Sequence, residues 1–170
     1  MKFTFETAYN AKTMAVMARA LRKTIRRKHS RRSHIFGWIV TVLALLLLVK
    51  NFAFDFRTIV TAIAGLAIFI TLLFEDRING YVAKKRLLPG TDAATAEFTP
   101  AGYTSATEAG RSEWSYEKIL LIAETADFFV FIFSANHAQL YDKRSLQGGT
   151  AEEFRQFIEA ATGKQVQPIR

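Results

Sequence analysis

Two uncharged apolar runs, residues 35–49 and 58–74, separated by a short connection between Lys50 and Arg57, constrain this chain more than any other feature. Ser33 and His34 extend the first run, so the expected membrane spans lie at about 33–49 and 58–74. Each span supplies about 25 Å of helical rise against about 30 Å of hydrocarbon, a shortfall that snorkelling by Lys50 and Arg57 and local bilayer thinning can absorb. The competing reading is a pair of buried helices in a soluble helical core. Against it, the rest of the chain holds too little amphipathic helix to wrap two helices that are apolar all round. A secretory signal is also disfavoured, because the basic leader exceeds thirty residues and no small-residue cleavage site follows Val49.

Charge is informative by position. Through His34 the chain carries ten Lys and Arg against the single Glu6, a formal +9, whereas the whole chain sums to +8. A basic block adjoining an apolar run points to anionic lipid headgroups rather than nucleic acid. Arg26, Arg27, Lys28, Arg31 and Arg32 precede the first span, and Lys84, Lys85 and Arg86 follow the second; these are the expected headgroup contacts. The connection holds only its end charges, with Phe52, Phe54 and Phe56 suited to a tight interfacial turn, so both termini should be cytoplasmic. Gly37, Thr41 and Ala44 in the first run, with Thr61 and Gly65 in the second, would let helix backbones approach closely, within the hairpin or in a homodimer.

Before the first span, Ala11, Met14, Ala18, Leu21 and Ile25 recur at steps of three and four, with Arg19, Arg22, Lys23 and Arg26 between them. This basic amphipathic helix either lies on anionic lipid or extends the first span and packs on Val82, Leu87 and Leu88.

After Gly90 the texture changes to short strand-like runs at 94–99, 103–106, 119–124, 128–133 and 138–142, broken by turns at 100–102, 108–111, 125–127 and 134–137. Such short breaks imply an antiparallel meander, with no room for a crossover helix. Thr150 and Glu153 form a capping box for a final helix whose stripe is Phe154, Phe157, Ile158 and Ala161, and Gly163 ends it. Phe128, Phe129, Phe131 and Phe133 cannot all share one face of a strand, so one face should meet the final helix and the other lipid or a partner.

The order of these features, with Ser112-Glu113-Trp114-Ser115-Tyr116, Glu124-Thr125-Ala126-Asp127-Phe128-Phe129 and Asp142-Lys143-Arg144, resembles the bacterial YcxB-like membrane proteins. That resemblance implies a pleckstrin-homology-like soluble domain: a bent antiparallel sheet capped by a C-terminal helix. It also implies a two-pass protein of the bacterial cytoplasmic membrane, and no established reaction, cofactor or partner. Tyr141-Asp142 departs from the hydrophobic strand and proline expected before the basic pair, which leaves the local conformation of Lys143 and Arg144 open. Five clear strands and a further one near 111–114 are fewer than such a sheet needs. Phe3 and Phe5 alternate with polar residues, and the segment Lys2 to Glu6 is therefore expected to supply a missing strand.

The fold class expected is α+β, a transmembrane hairpin joined to a cytoplasmic antiparallel sheet. The division is an N-terminal strand at 1–8, a basic helix at 9–34, the hairpin at 35–74, a juxtamembrane segment at 75–90 and the soluble domain at 91–170.

Little in the chain suggests catalysis. His29, His34 and His137 lack metal-ligand spacing, and there is no cysteine. Gly148-Gly149 lacks the lysine of a phosphate loop, and Glu108, Glu113 and Glu117 fall in a turn and a short connecting segment where solvated acids belong. Trp114, Tyr116, Phe154 and Phe157 read as anchors of the soluble core. Lys143 and Arg144 are either a solvated strand end or a contact for an anion or acidic partner. The reading is a non-enzymatic, cofactor-free, membrane-anchored interaction module whose partners are membrane lipids and a protein or second copy, not nucleic acid. The alternatives are an immunity-type or accessory subunit that binds another membrane protein through its helices, and an enzyme acting on lipid.

Overall fold

The alternation of Phe3 and Phe5 with polar residues sends one face of Phe3–Ala8, strand β1, into a core where both rings are fully buried. The computed structural model describes residues 2–50 and 55–169; Phe52 and Phe54 of the connection lie outside them. β1 pairs antiparallel with β2, Ala93–Thr99, placing Phe3 opposite Phe98 and Ala8 opposite Ala93. Helices α1 (Ala11–Lys23), α2 (Arg27–Lys50) and α3 (Phe56–Lys85) are therefore an insertion between two paired strands.

The remaining elements are β3 (Gly102–Thr107), β4 (Gly110–Trp114), β5 (Leu121–Glu124), β6 (Phe128–Ile132), β7 (Ala138–Asp142), α4 (Ala151–Thr162) and β8 (Val166–Pro168). They build two four-stranded sheets, ordered β1-β2-β3-β4 and β7-β6-β5-β8. The sheets meet where β1 runs beside β7: the Asp142 amide donates to Thr7 Oγ1 at 3.2 Å, and Thr4 and Gln147 exchange backbone bonds. Gly148 makes this approach possible. Its φ of +93° and its place against the Lys2 carbonyl exclude any side chain.

The single antiparallel meander needs correcting in two respects: its strands divide between two sheets, and one pairing is parallel. β8 pairs parallel with β5, Val166 beside Ile122, and α4 is the crossover that allows it. Three residues are too few for periodicity to reveal such a strand. Thr150 and Glu153 cap α4 reciprocally and Gly163 ends it in the left-handed conformation. The turn expected at 108–111 is confined to Glu108 and Ala109, and Gly110 and Arg111 already belong to β4.

β6 has both faces buried. Phe129 and Phe131 enter the main core with Phe3, Phe5, Phe98 and Phe154, while Phe128, Val130 and Ile132 face Ala20 and Leu21 of α1. The face expected to meet lipid or a partner is thus covered by an element of the same chain. The two readings of α1 change with it. α1 does not lie apolar face down on lipid, since Met14, Ala20 and Leu21 are buried within the protein. Nor does it continue α2, because the helix ends at Thr24 and α2 starts afresh at Arg27. It docks on the C-terminal half of α3 at Gly80, whose missing Cβ lets the α1 backbone at Ala11 and Ala15 come close. Val82 and Leu87 line the groove beside Met14 and Leu21, whereas Leu88 is exposed.

α2 and α3 extend beyond the uncharged runs, to 24 and 30 residues, or about 36 and 45 Å. α3 has a non-helical backbone at Phe74, the last uncharged residue before Glu75. Only 6% of the most apolar 18-residue stretch of either helix is buried, the reverse of a soluble core helix.

Candidate functional site

The chemistry of the chain gathers where the apolar runs end. Asp76, two residues past Phe74, accepts two hydrogen bonds from Arg22 of α1, at 2.7 Å from Nε and 2.6 Å from the terminal nitrogen. Arg19 Nε lies 3.4 Å from the same carboxylate, and Arg22 Nε lies 3.6 Å from Glu75. His34 of α2 places Nε2 2.5 Å from Glu75 Oε2. The hydrogen bond to Asp76 pushes the Arg22 guanidinium above its ordinary pKa, more than burial lowers it. The network joins all three inserted helices at one level, directly before Ile35 and after Phe74. In the sequence Glu75 and Asp76 close the second uncharged run, and nothing local to them shows that Arg19 and Arg22, three apart on α1, are their partners.

The basic residues at and just before the start of α2 divide three ways. Arg26 serves the soluble domain, donating from Nε to the Ala135 carbonyl at 2.7 Å and from its terminal nitrogen to Asn136 Oδ1. Arg27 and Arg31 line a recess with Ser30 and His34. Lys28 and Arg32 are exposed outside that recess. On the far side Lys84 Nζ is 3.9 Å from Asp92, Lys85 Nζ lies 4.8 Å above the Tyr81 ring, and Arg86 lines the groove between α1 and α3.

Between α2 and α3, a Cβ on Gly37 would meet the Leu72 side chain at 2.8 Å, and one on Gly65 would meet Ala44 Cβ at 3.1 Å. Thr41 is buried, its hydroxyl donating to the Gly37 carbonyl at 2.9 Å. Thr61 is half-buried and turns its hydroxyl to the Arg57 carbonyl of its own helix. Trp38 and Phe69 meet edge to face at 5.8 Å.

In the soluble domain Lys143 is already engaged. Its Nζ donates to Glu124 Oε1 at 2.5 Å and to the Thr125 carbonyl at 2.7 Å, and lies 4.8 Å over the Phe129 ring. Arg155 of α4 makes a bidentate pair with the same carboxylate, both distances 2.8 Å. Burial would raise the Glu124 pKa, but the hydrogen bonds from Arg155 and Lys143 outweigh it and hold the carboxyl below its ordinary value. An incoming anion would have to displace Glu124, so Lys143 acts as an internal strut. Arg144 is different: its side chain is 71% exposed and pairs with Asp142, at 2.6 Å. Asp142 also accepts from the Arg144 amide, capping the short 3₁₀ turn Lys143–Ser145 that replaces the expected proline-containing conformation.

Trp114 packs on the core rim against Phe133 at 4.9 Å and stacks near His137 at 5.6 Å. Among the described residues its Nε1 is the buried side-chain polar atom without a partner. Burial pushes Tyr116 up to about 12, although its hydroxyl donates to the Thr99 carbonyl at 2.6 Å. Phe154 is fully buried, and Phe157 packs at its side 5.2 Å from Phe3. Glu108, Glu113 and Glu117 are exposed, and no group of His, Asp or Glu among the described residues could hold a metal ion.

The tryptophan segment, the acid-to-aromatic hairpin and the basic pair thus converge on one sheet-and-helix core. Residues 98–158 match the YcxB-like protein family. The YcxB-like segment runs from the end of β2 through most of α4 and includes Trp114, Glu124, Lys143 and Arg155. It excludes β1, the three inserted helices and β8. No curated protein matches the chain.

Proposed function

We propose that the chain is a membrane-anchored interaction module, in which α2 and α3 cross the bilayer and hold the YcxB-like domain at the cytoplasmic face. The observation that carries this reading is the unburied apolar surface of both helices together with their attachment. α1 and the Arg22–Asp76 pair fix the hairpin to the domain without a flexible linker, so the domain's orientation to the membrane is set as well as its distance. A tether of this kind raises the effective concentration at the membrane, and individual contacts to a partner or lipid can then be weak.

The test exchanges residues 38–73 for unrelated apolar helices while keeping α1, His34, Glu75 and Asp76. The swap should still complement a deletion phenotype. Failure of a swap that inserts and folds would overturn the reading in favour of an intramembrane partner. That second reading has its own support, a cavity of about 230 Å³ between the spans, lined by Thr41, Ala44, Leu45, Gly65 and Phe69 among others.

A further inference from the structure

The exposed basic block is not one uniform surface. Between the end of α1, the first two turns of α2 and the C-terminal segment 168–169 lies a recess of about 540 Å³. Its wall carries Lys23, Arg27, Ser30, Arg31 and His34, and among the described residues no carboxylate lines it, although His34 Nε2 is held 2.5 Å from Glu75 Oε2 behind the wall. Arg27, Arg31 and His34 are spaced by four and three residues, so their side chains rise from one face of α2. Arg22 also borders the recess but is committed to Asp76. Concavity matters here because a guanidinium pair that converges can bind the same phosphate oxygens bidentately, whereas splayed surface cations supply only a diffuse field.

Position decides what chemistry would fill it. His34 is followed directly by Ile35 and Phe36, which are 52% and 69% exposed and begin the unburied apolar surface of α2. A ligand with a phosphate in the recess and hydrocarbon beside Ile35 and Phe36 would satisfy both surfaces. We propose that the recess is a specific site for the phosphodiester of an anionic phospholipid, with Arg27 and Arg31 as its principal ligands. This rests on the membrane-anchoring reading and adds to it a selective headgroup. Because 168–169 forms one wall, and the Ile169 amide is tied to the Glu124 carbonyl at 2.7 Å, a bound headgroup also touches the soluble domain. The site therefore lies at the joint between anchor and domain.

The shared chemistry is a phosphate anion, and a free phosphate could in principle supply it. Full-length protein in detergent is titrated with short-chain phosphatidylglycerol or phosphatidylcholine, and binding is read by intact-complex mass spectrometry. Phosphatidylglycerol should bind in preference. An Arg27→Gln/Arg31→Gln variant should lose about tenfold or more in its apparent affinity, and Arg27→Lys/Arg31→Lys should recover part of that. Lys28→Gln/Arg32→Gln removes the same charge from outside the recess and should lose no more than about threefold. Equal losses in the two Gln variants would overturn the site in favour of a diffuse field, as would equal binding of the two lipids by the unaltered protein. Displacement of phosphatidylglycerol by an equal concentration of inorganic phosphate would identify a free anion as the ligand and overturn the lipid assignment. Carbonate extraction of the same proteins separates the two readings: variants that lose selectivity but stay in the membrane fraction implicate the recess alone. Release of the unaltered chain would sink the anchor itself.

Discussion

Arg22 and Asp76 are joined by two parallel hydrogen bonds across fifty-four residues of sequence, the strongest polar link between the amphipathic helix and the second long helix. Their side chains are 26% and 13% exposed, so solvent screens the pair only in part. Replacing Asp76 by Asn should cost about 1–3 kcal/mol, because it removes the negative charge and one of the two acceptors that Arg22 uses and leaves Glu75, at 3.6 Å, as its nearest carboxylate. The measurable outcome is faster proteolysis at the 24–26 joint and a lower unfolding temperature in detergent. A double-mutant cycle with Arg22→Gln should return a coupling of about 1–2 kcal/mol, and a coupling near zero would make the pair ornamental.

Gly80 gives a prediction whose sign depends on packing. In an exposed helix Gly→Ala stabilises by about 1 kcal/mol. Here the added methyl would press on the Ala15 backbone and lie 2.8 Å from the Ala11 carbonyl oxygen, and backbone cannot swing aside as a side chain can. Overpacking costs about 1–3 kcal/mol, so Gly80→Ala should be net destabilising and Gly80→Val more so. A thermal melt that rises for Gly80→Ala would mean α1 does not dock on α3 in this way.

Glu124 sets an acid limit on the soluble domain. Its folded pKa lies below the ordinary 4.5, so the stability it contributes is fully present above that value and is lost as pH falls through the folded pKa. Denaturant melts should therefore show stability falling as pH is lowered below about 4.5. Glu124→Gln should be about 2–4 kcal/mol less stable at neutral pH, since Lys143 loses its carboxylate in a nearly buried site. The same variant should lose less on acidification. Parallel acid profiles for the two proteins would show that other carboxylates carry the transition.

What could be read from the sequence, and what could not, follows the range over which each signal acts. The capping box at Thr150 and Glu153, the stripe of α4 and the alternation at Phe3 and Phe5 are local, and they declare themselves within a few residues. The YcxB-like match likewise rests on short segments with characteristic side chains. The pairing of Glu124 with both Lys143 and Arg155 spans thirty-one residues, and nothing in local composition singles out one glutamate among several solvated ones. The second buried face of β6 was missed for a related reason: an all-apolar strand announces two covered faces but not what covers them. The helix that does so precedes the strand by more than a hundred residues. β8 is too short to carry a period at all.

Phe5 ties the first strand to the rest of the core. Its ring meets Phe154 edge-on at 4.7 Å, Tyr141 at 5.6 Å and Phe98 at 5.7 Å. Phe5→Ala should destabilise the soluble domain by about 3–5 kcal/mol. Deleting residues 1–6 should be worse, because Phe98 and Phe154 lose both Phe3 and Phe5, while the hairpin still enters the membrane fraction. An unchanged denaturation midpoint for Phe5→Ala would be incompatible with its burial.

Sheet topology restricts the arrangement across a membrane more firmly than charge does. β1 and β2 are hydrogen-bonded neighbours on either side of the helical insertion, so residues 3–8 and 93–99 must lie on the same side of any bilayer that α2 and α3 cross. The number of crossings is then even, and two helices long and apolar enough supply it. Which side the domain occupies is left to the basic residues, and Arg27, Lys28, Arg31 and Arg32 before α2, with Lys84, Lys85 and Arg86 at the end of α3, favour the cytoplasm. The chain has no cysteine, so single-cysteine variants report unambiguously. In intact cells Lys28→Cys and Gln156→Cys, both at exposed positions, should resist an impermeant maleimide until the membrane is permeabilised. Asn51→Cys, in the connection between the spans, should react without permeabilisation. Labelling of Lys28→Cys and Gln156→Cys with protection of Asn51→Cys would invert the topology. Labelling of Lys28→Cys alone would be graver, since it would place the basic leader and the YcxB-like domain on opposite sides and contradict the β1–β2 pairing itself.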